Sequence, residues 1–479
     1  MISINNFING EFVPPNSNQY LDVYEPATGL IYSNVADSNS IDVENAYQSA
    51  QSAFKYWSGI SVEERAGYLK KIADGIESRL DEFAEYESRD TGKPISLARS
   101  VDIPRAVSNF RFFAEFGLAF QFESELNSDQ SQNKLIRSPL GVVGCISPWN
   151  LPLYLFTWKI APALIAGNTV VAKPSEITPY TAFKLSEICR DAGFPVGVLN
   201  IIHGQGSTAG DALVGHRGIK AISFTGGTAT GKLITKKTAS SFKKLSLEMG
   251  GKNPAVIFAD CDYGNMLDTM VRSSFSNQGQ ICLCSSRILV EESIYEKFKI
   301  DFVQRVSELK IGDPSKEGTQ FGALSSKGHY EKVLSYMEIA KQEGGKVLVG
   351  GNLIKIKGRC ETGWFVEPTI IEGLNNSCRI NQEEIFGPIV TLQSIQSEHE
   401  AIQLANETEY GLSATIWTGD KEKANRVSSQ IDAGVIWVNC WLVRDLRTPF
   451  GGMKQSGLGR EGGDEALRFF TEPKNICTI

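Results

Sequence analysis

Long uninterrupted apolar runs are missing from this sequence. The most apolar stretch, residues 151–166, is interrupted by Pro152, Lys159 and Pro162, whereas a membrane-spanning helix needs roughly 18 or more consecutive apolar residues. The first residues also lack the positive and then apolar order of a signal peptide. We therefore expect no membrane-spanning segment and no membrane partner.

Excess charge of one sign, dense cysteine and clustered histidine are missing too. The 48 lysines and arginines nearly balance the 55 aspartates and glutamates, for a formal charge of −7, which leaves no basic surface for nucleic acid. The 4 histidines are scattered without metal-ligand spacing, so we expect no metal. The 9 cysteines, thinly spread over 479 residues, indicate reduced thiols and a cytoplasmic protein.

What is present is a regular alternation of strands and helices. Residues 42–120 have helical spacing, with three helices separated near Gly59 and at residues 92–94. After Pro139, helical segments separate four apolar strands: residues 141–146, 169–172, 198–203 and 222–224. This pattern predicts parallel βαβ units in a doubly wound α/β fold, in which ligands bind at the carboxyl ends of the strands.

A second alternating series follows the first. It begins at residues 255–258 and ends near residues 435–439, and a chain of this length is expected to hold more than one core. Residues 134–138 resemble a short strand that can form an arm reaching another subunit, and residues 469–479 resemble a strand that pairs elsewhere.

Cys282 follows a polar turn between a helical pattern and an apolar strand. Met266, Met270 and Phe275 have helical spacing, and residues 288–290 have the composition of a strand. A thiol at such a junction can be exposed and approached by backbone N–H groups, conditions that favour a thiolate. The alternative is a small core residue, which is the usual role of a cysteine.

Two further side chains stand where they can support a nucleophile. Glu248 ends an apolar strand and precedes two glycines, a position in which partial desolvation tunes a carboxylate as a base. Asn150 follows Pro148 and Trp149 on another loop, where its amide can donate to an oxyanion. The alternatives are a surface glutamate and an asparagine that stabilises a turn.

Several loops can hold a nucleotide. The segment 204–209 fits the dinucleotide fingerprint G-x-G-x-x-A, but no acidic residue ends a strand about 20 residues further on, and a plain glycine turn fits equally well. Residues 226–231 provide another helix N-terminus for an anion. Lys173 and Glu176 can hold the ribose hydroxyls of an adenosine, or can simply begin a solvated helix.

Taken together, these motifs resemble the aldehyde dehydrogenase superfamily. They occur in the order and spacing of that family over nearly the whole chain: Pro148-Trp-Asn150, Lys173-Pro-Ser-Glu176, Phe224-Thr-Gly226, residues 248–254, Gly279-Gln-Ile-Cys282, Glu384-Ile-Phe-Gly-Pro388 and Pro449-Phe-Gly-Gly452. The resemblance implies that Cys282 is the nucleophile, Glu248 the general base and Asn150 an oxyanion donor. It also implies that Glu461 relays a proton.

The same resemblance implies NAD as the cofactor. The cofactor-binding residues that it implies are Trp149, Lys173, Ser175, Glu176, Gly206, Gly226, Gly227, Thr230, Gly231, Glu384 and Phe386. Glu176 favours NAD over NADP, because a carboxylate repels a 2′-phosphate. Gly227 departs from the family pattern, since many relatives carry a serine there whose hydroxyl contacts phosphate.

The resemblance also implies a domain organisation and an oligomer. We expect an NAD-binding domain from residues 1–120 and 139–250 and a catalytic domain from residues 251–450. Residues 121–138 and 468–479 would form a small β arm for oligomerisation. A homodimer or homotetramer is implied.

Two arginine-containing segments narrow the expected substrate. The segments 102–113 and 439–447 resemble the subgroup that oxidises 2-aminomuconate and 2-hydroxymuconate 6-semialdehydes. Such a substrate has a carboxylate opposite its aldehyde, which the guanidinium groups of Arg105 and Arg444 suit. Alternatively, these arginines pair with nearby acids such as Asp102 and Asp445. An uncharged aldehyde, retinal or aliphatic, and a non-catalytic protein on the same fold remain the other functions considered.

Overall fold

The computed structural model describes residues 2–479. The first part of the chain forms the following elements: β1 (Ile2–Ile4), β2 (Asn6–Ile8), β3 (Glu11–Val13), β4 (Tyr20–Glu25), β5 (Leu30–Ala36), α1 (Ser40–Gly59), α2 (Val62–Ser78), α3 (Leu80–Thr91), α4 (Ile95–Leu97), α5 (Ile103–Ala119), β6 (Glu123–Asn127) and β7 (Gln132–Pro139). The predicted helices are present, but they break once more, at Arg79, and residues 98–102 form a π-helical turn before α5.

The next part alternates strand and helix as predicted. Its elements are β8 (Val142–Ile146), α6 (Pro152–Ile165), β9 (Thr169–Lys173), α7 (Tyr180–Asp191), β10 (Leu199–Ile201), α8 (Asp211–Gly215), β11 (Ala221–Thr225), α9 (Thr228–Thr238) and β12 (Lys244–Glu248). The third strand is shorter than the sequence indicated, and the fingerprint glycine Gly206 begins a π-helical turn that leads into α8.

The remaining part contains a second strand and helix series. Its elements are β13 (Pro254–Ile257), α10 (Tyr263–Phe275), β14 (Arg287–Glu291), α11 (Glu292–Ser307), α12 (Lys327–Gln342), β15 (Lys346–Val349), β16 (Thr369–Glu372), α13 (Arg379–Gln382), β17 (Ile389–Ile395), α14 (Glu398–Asn406), β18 (Tyr410–Gly411), β19 (Ser413–Trp417), α15 (Lys421–Ser428), β20 (Val435–Val438), β21 (Met453–Lys454), β22 (Gly457–Leu458), α16 (Gly463–Phe469) and β23 (Thr471–Thr478).

An eight-stranded sheet brings the predicted loops to one edge. Its strand order is β22-β12-β11-β8-β9-β10-β2-β3. The strands β12, β11, β8, β9 and β10 run parallel, and the register sets Thr225 opposite Glu248 and Ile146 opposite Lys173. The carboxyl ends of these strands are therefore aligned. The prediction of a doubly wound α/β fold is confirmed for this part of the chain.

A seven-stranded sheet forms the second α/β unit. Its order is β15-β16-β17-β14-β13-β19-β20, and every neighbouring pair except β15 and β16 is parallel. Helix α10 precedes the Cys282 loop and β14 follows it, so Cys282 lies at the predicted junction of helix and strand.

The most apolar helix is buried inside the molecule. All of α6 except Leu155 is buried, and it packs on α5 and on the eight-stranded sheet. Its apolar composition is thus explained by core packing. Within residues 2–479, no helix combines the length and apolar character needed to cross a membrane.

The end of the chain pairs with residues from its middle. The strands β23, β7 and β6 form an antiparallel three-stranded sheet. Nearly all side chains of β6 and β23 are exposed, so most of this sheet has no core of its own. The predicted strands at residues 134–138 and 469–479 are therefore present and paired with each other.

Candidate active site

Three adjoining cavities lie at the carboxyl edge of the eight-stranded sheet. We call them by a lining residue: the arginine cavity, about 380 Å³, which contains Arg105 and Arg444; the tryptophan cavity, about 250 Å³, which contains Trp149; and the lysine cavity, about 670 Å³, which contains Lys173. Thr225 lines all three, because it ends a central strand of the sheet.

Cys282 lies in the wall between the arginine and tryptophan cavities and lines both. The loop before it contains three consecutive residues with left-handed backbone angles, Asn277, Gln278 and Gly279, at φ of 51°, 57° and 70°. Gly279 has no room for a side chain, since a Cβ would overlap the backbone of Gly387. This turn leads the chain from α10 to the position of Cys282.

The ionisation of Cys282 differs from the sequence-based expectation. The residue is half-buried, and burial raises the pKa of its thiol well above the usual value. Glu384 and Glu248 raise the pKa further, and Arg444 opposes them. The thiolate-favouring environment expected from the sequence is therefore not what surrounds Cys282 in the structure. The reason is that two carboxylates and desolvation outweigh one guanidinium.

Glu248 ends β12 and points into the arginine cavity. The residue is buried, and neither carboxylate oxygen has a hydrogen-bond partner within residues 2–479. Burial raises the pKa of Glu248 well above the usual value, and the charge of Glu461 adds to the shift. The surface-glutamate alternative is thereby excluded, and a buried carboxylate of raised pKa suits a general base.

Glu461 lies on the same cavity and takes part in a buried network. Lys159, on α6, donates to Glu461 Oε1 at 2.8 Å and to Ser223 Oγ at 3.2 Å. The hydroxyl of Ser223 also donates to Glu461 Oε1, at 3.2 Å. These contacts hold the Glu461 carboxylate within electrostatic range of Glu248, although a relay role for it stays a prediction.

Asn150 lies just beyond β8 and is buried. Its amide nitrogen donates to the carbonyl of Gln280 at 2.8 Å, which ties the side chain to the loop carrying Cys282. An amide nitrogen has two hydrogens, so one remains for another acceptor. Asn150 and Cys282 both line the tryptophan cavity.

The tryptophan cavity also contains three of the predicted cofactor-binding residues, Trp149, Glu384 and Phe386. Trp149 and Phe386 make an edge-to-face pair with ring centroids 5.3 Å apart. Glu384 Oε1 accepts from the backbone N–H of Gly251 at 3.1 Å. A Cβ at Gly250 would overlap the carboxylate of Glu384, so the two glycines after Met249 allow this close approach.

The lysine cavity collects most of the residues predicted for the adenosine and pyrophosphate. Lys173, Ser175, Glu176, Gly206, Gly226, Gly227 and Thr230 line it. Lys173 is buried at the end of β9 and donates to Glu176 at 3.2 Å, so the solvated helix start is excluded for it. Gly231 does not line this cavity; a Cβ there would overlap the sulfur of Met249.

Arg105 and Arg444 line the arginine cavity together. Neither pairs with the acid that the sequence offered as its alternative partner, since Asp102 pairs with Lys93 and Asp445 with Arg447. The Arg444 guanidinium lies 4.4 Å from the Trp158 ring and 3.9 Å from the Phe450 ring.

One donor atom of this arginine has no hydrogen-bond partner among residues 2–479. Arg444 Nη1 donates to the hydroxyl of Tyr154 at 3.1 Å. Its Nη2 is buried and has no hydrogen-bond partner. A buried, unpaired donor costs free energy unless a ligand satisfies it.

Two site residues were missed by the sequence analysis. Tyr154 lies within the apolar run that became α6, where an aromatic residue normally indicates core packing. His329 lines the tryptophan cavity, and its Nε2 is 2.7 Å from the carbonyl oxygen of Phe386. Burial lowers the pKa of His329 to about 4. Nothing in the sequence around either residue signals a site.

A half-buried thiol and a buried carboxylate beside adjoining cavities suit an enzyme that acts on a carbonyl group. Comparisons with known proteins agree. The family model described as "Aldehyde dehydrogenase family" matches residues 12–476. The chain belongs to the aldehyde dehydrogenase family. It is thus an aldehyde-oxidising enzyme, and the class predicted from the motifs is confirmed.

Individual relatives are similar over their whole length. A 2-aminomuconic semialdehyde dehydrogenase of Danio rerio is 50% identical over 476 residues, covering 99% of this chain and 97% of the relative. A 2-hydroxymuconic semialdehyde dehydrogenase of Pseudomonas sp. (strain CF600) is 46% identical, covering 100% and 99%. A crystal structure of betaine aldehyde dehydrogenase from Staphylococcus aureus in complex with NAD+ has a TM-score of 0.96 at 38% identity, covering 99% and 94%.

Proposed function

We propose that this enzyme oxidises an aldehyde with a carboxylate at its far end, such as 2-aminomuconate or 2-hydroxymuconate 6-semialdehyde, to the acid with NAD. The observation that carries the substrate class is that Arg105 and Arg444 line the arginine cavity together, and that neither forms a salt bridge with an acid among residues 2–479. The names of the two relatives support the same class.

The residues present fit NAD. Helix α9 begins at Thr228 without a side-chain cap, and Gly226 and Gly227 before it line both the lysine and tryptophan cavities. Uncapped N–H groups and the helix dipole favour a pyrophosphate at this point. The carboxylate of Glu176 on the lysine cavity favours NAD over NADP, because it would repel a 2′-phosphate.

We assign the formation of the carbon–sulfur bond to Cys282, which lies between the arginine and tryptophan cavities. NAD, when bound, supplies a hydride acceptor and a positive ring that favours the thiolate of Cys282. The sulfur of Cys282 attacks the aldehyde carbon, and the carbonyl oxygen becomes an oxyanion. The amide of Asn150 and the backbone N–H of Cys282 stabilise that oxyanion.

Release of the acid is assigned to Glu248. After hydride loss the acyl group is held as a thioester on Cys282. Glu248 takes a proton from water, and the resulting hydroxide attacks the thioester, so the acid leaves and the thiolate is restored. To Glu461, which Lys159 holds on the same cavity, we assign the role of accepting the proton from Glu248.

The two arginines supply the distal contact. Arg444 supplies one positive charge for a carboxylate in this cavity, and Arg105, whose guanidinium lies 5.8 Å from the ring of Tyr154, adds a second. The planar guanidinium fits a carboxylate in bidentate geometry. A substrate extended from Cys282 to Arg444 would therefore be fixed at both ends.

An uncharged aldehyde is the second candidate. The arginine cavity is lined largely by apolar side chains, among them Leu151, Trp158, Trp441 and Phe450. Such a surface binds a hydrocarbon tail well. Such a substrate does not explain why two guanidinium groups line the cavity, which is why we favour the carboxylated substrate.

Assembly and location belong to the same proposal. The three-stranded sheet of β6, β7 and β23 exposes most of its side chains, which supports a role as the oligomerisation arm of a homodimer or homotetramer. All 9 cysteines are free thiols, which supports a reducing, cytoplasmic environment. The division into an NAD-binding and a catalytic domain at residue 250 remains our proposal.

A kinetic comparison of substrates tests the proposal. Arg444→Met and Arg105→Met should each raise KM for a carboxylated semialdehyde by about 10-fold or more, since each removes a charge-assisted contact. The KM for an uncharged aldehyde of similar length should fall or stay the same. Arg447→Met is the matched control, because Arg447 is exposed and paired with Asp445.

Two results would overturn the proposal that Arg105 and Arg444 bind the distal carboxylate of the substrate. One is wild-type kinetics on the carboxylated semialdehyde in both folded arginine variants. The other is an equal loss with both classes of aldehyde. If no aldehyde in a broad panel yields NADH, the proposed catalytic activity itself would be rejected.

A further inference from the structure

A fully buried ion pair lies directly behind Asn150. Lys93 and Asp102 form a salt bridge, and their side chains are 0% and 1% exposed. A buried ion pair is costly to desolvate and contributes little to stability compared with apolar side chains of the same size. The contacts that this pair makes with its surroundings are therefore more informative than its contribution to stability.

The pair contacts the backbone of the oxyanion donor. Lys93 Nζ donates to the carbonyl oxygen of Asn150 at 3.0 Å. Asn277 Nδ2, from the Cys282 loop, donates to the same oxygen at 3.0 Å and to the carbonyl of Gln280 at 3.2 Å. The side chain of Asn150 then donates to Gln280, as described above.

These bonds fix the peptide unit from which the Asn150 side chain projects. A rotation of that peptide about the backbone would move the amide relative to Cys282. Lys93 opposes the rotation with one charge-assisted bond, which is stronger than a neutral one. Asp102 in turn fixes the Lys93 ammonium group as its salt-bridge partner. The buried carboxyl of Glu87 also lies within electrostatic range of Lys93.

The pair also connects the oxyanion site with the substrate site. Asp102 is the last residue of the π-helical turn before α5, and Arg105 lies one turn further along. Asp102 itself lines the arginine cavity. A π-helical turn inside a helical segment is often associated with a functional site.

We propose that Lys93 and Asp102 are positioning residues that hold the amide of Asn150 at the oxyanion. This inference rests on the proposed role of Asn150, and it adds two residues to the machinery that do not touch the substrate's reacting atoms. Their contribution is made in the transition state, so it concerns every aldehyde, with or without a carboxylate.

A double-mutant cycle tests the inference. The variant Lys93→Met/Asp102→Asn removes both charges together, so neither is left buried and alone. We expect it to lower kcat/KM by roughly 10- to 100-fold, the effect of misplacing a catalytic group by up to about 1 Å. The loss in kcat should be the same for carboxylated and uncharged aldehydes, and KM for NAD+ should stay unchanged.

The second arm of the cycle uses Asn150→Ala. In that background the same two substitutions should change the rate by less than about 2-fold, because the amide they position is gone. Asp90→Asn is the control, since Asp90 is buried near Lys93 but bonds Tyr32 and the N–H of Tyr180 instead. It should lower the melting temperature and leave kcat/KM unchanged.

Every outcome of this cycle either supports or overturns the inference about Lys93 and Asp102. An equal loss in both backgrounds, or wild-type rates in the folded double variant, would overturn the inference. Asp102→Asn alone keeps an acceptor for Lys93 and serves if the double variant does not fold; it should show a smaller loss that also disappears with Asn150→Ala. Full activity of Asn150→Ala would reject the proposed role of Asn150 itself, which is a separate result.

Discussion

The hydroxyl of Tyr154 accepts a hydrogen bond from Nη1 of Arg444 at 3.1 Å. The same tyrosine presents its ring to Arg105, whose guanidinium carbon lies 5.8 Å from the ring centroid. One side chain of α6 thus contacts both arginines of the arginine cavity. The orientation of Arg444, including its unpaired Nη2, depends on this contact.

Tyr154→Phe should therefore weaken the binding of a carboxylated aldehyde. The substitution keeps the ring and removes the acceptor of Arg444 Nη1. We expect KM for that substrate to rise roughly tenfold, or about 1.4 kcal/mol, as for the loss of a hydrogen bond to a charged group. Steady-state kinetics with an uncharged aldehyde of equal length serve as the control. An equal effect on both substrates would show that Tyr154 acts by packing alone.

Glu461→Gln should shift the pH dependence of thioester hydrolysis. The charge of Glu461 raises the pKa of Glu248, so its removal favours the ionised form and lowers that pKa. Lys159, freed from its partner, acts in the same direction. We expect the acidic limb of the kcat profile to move to lower pH. A limb that stays in place, or that moves to higher pH, would assign it to another group.

Glu248→Gln should separate the two halves of the reaction. The amide has the size of the carboxylate but cannot take a proton from water. We expect a burst of about one NADH per active site, followed by a steady state reduced about 10²- to 10⁴-fold, the usual contribution of a general base. Rapid-mixing absorbance measures the burst. A proportional loss of burst and steady state would place Glu248 in the first half-reaction instead.

Gly227→Ser should strengthen NAD+ binding. The residue precedes α9 with φ of −74°, and a Cβ there would have no atom within 4 Å. A serine hydroxyl facing the lysine cavity can donate to a phosphate. We expect KM for NAD+ to fall by about 3- to 10-fold, the net value of one hydrogen bond. Gly227→Ala is the matched variant, and equal constants for Ser and Ala would exclude a hydroxyl contact.

The arrangement of strand ends could be predicted from the sequence because it depends on local patterns. The apolar strands that lead to Asn150, Lys173, Thr225 and Glu248 are parallel neighbours in one sheet. The parallel register aligns the carboxyl ends of these strands. The loop that carries Cys282 could be predicted in the same way, because residues with helical spacing precede it and an apolar strand follows it.

Contacts between distant segments could not be predicted in this way. Lys93 reaches Asn150, and Tyr154 reaches Arg444 across 290 positions of the chain. The pKa of Cys282 likewise depends on Glu248 and Glu384, which only the fold brings near it. A sequence indicates which residues can carry a charge, but the burial that sets their ionisation is a property of the packed molecule.

The position of Cys282 between two cavities has a consequence for selective inhibition. An electrophile can reach the sulfur from the arginine cavity without entering the tryptophan cavity, because the two share only part of their lining. Compounds that imitate the dinucleotide must fit a groove built from motifs typical of the whole family. A thiol-reactive molecule with an anionic tail would instead be drawn to the arginine cavity by Arg105 and Arg444.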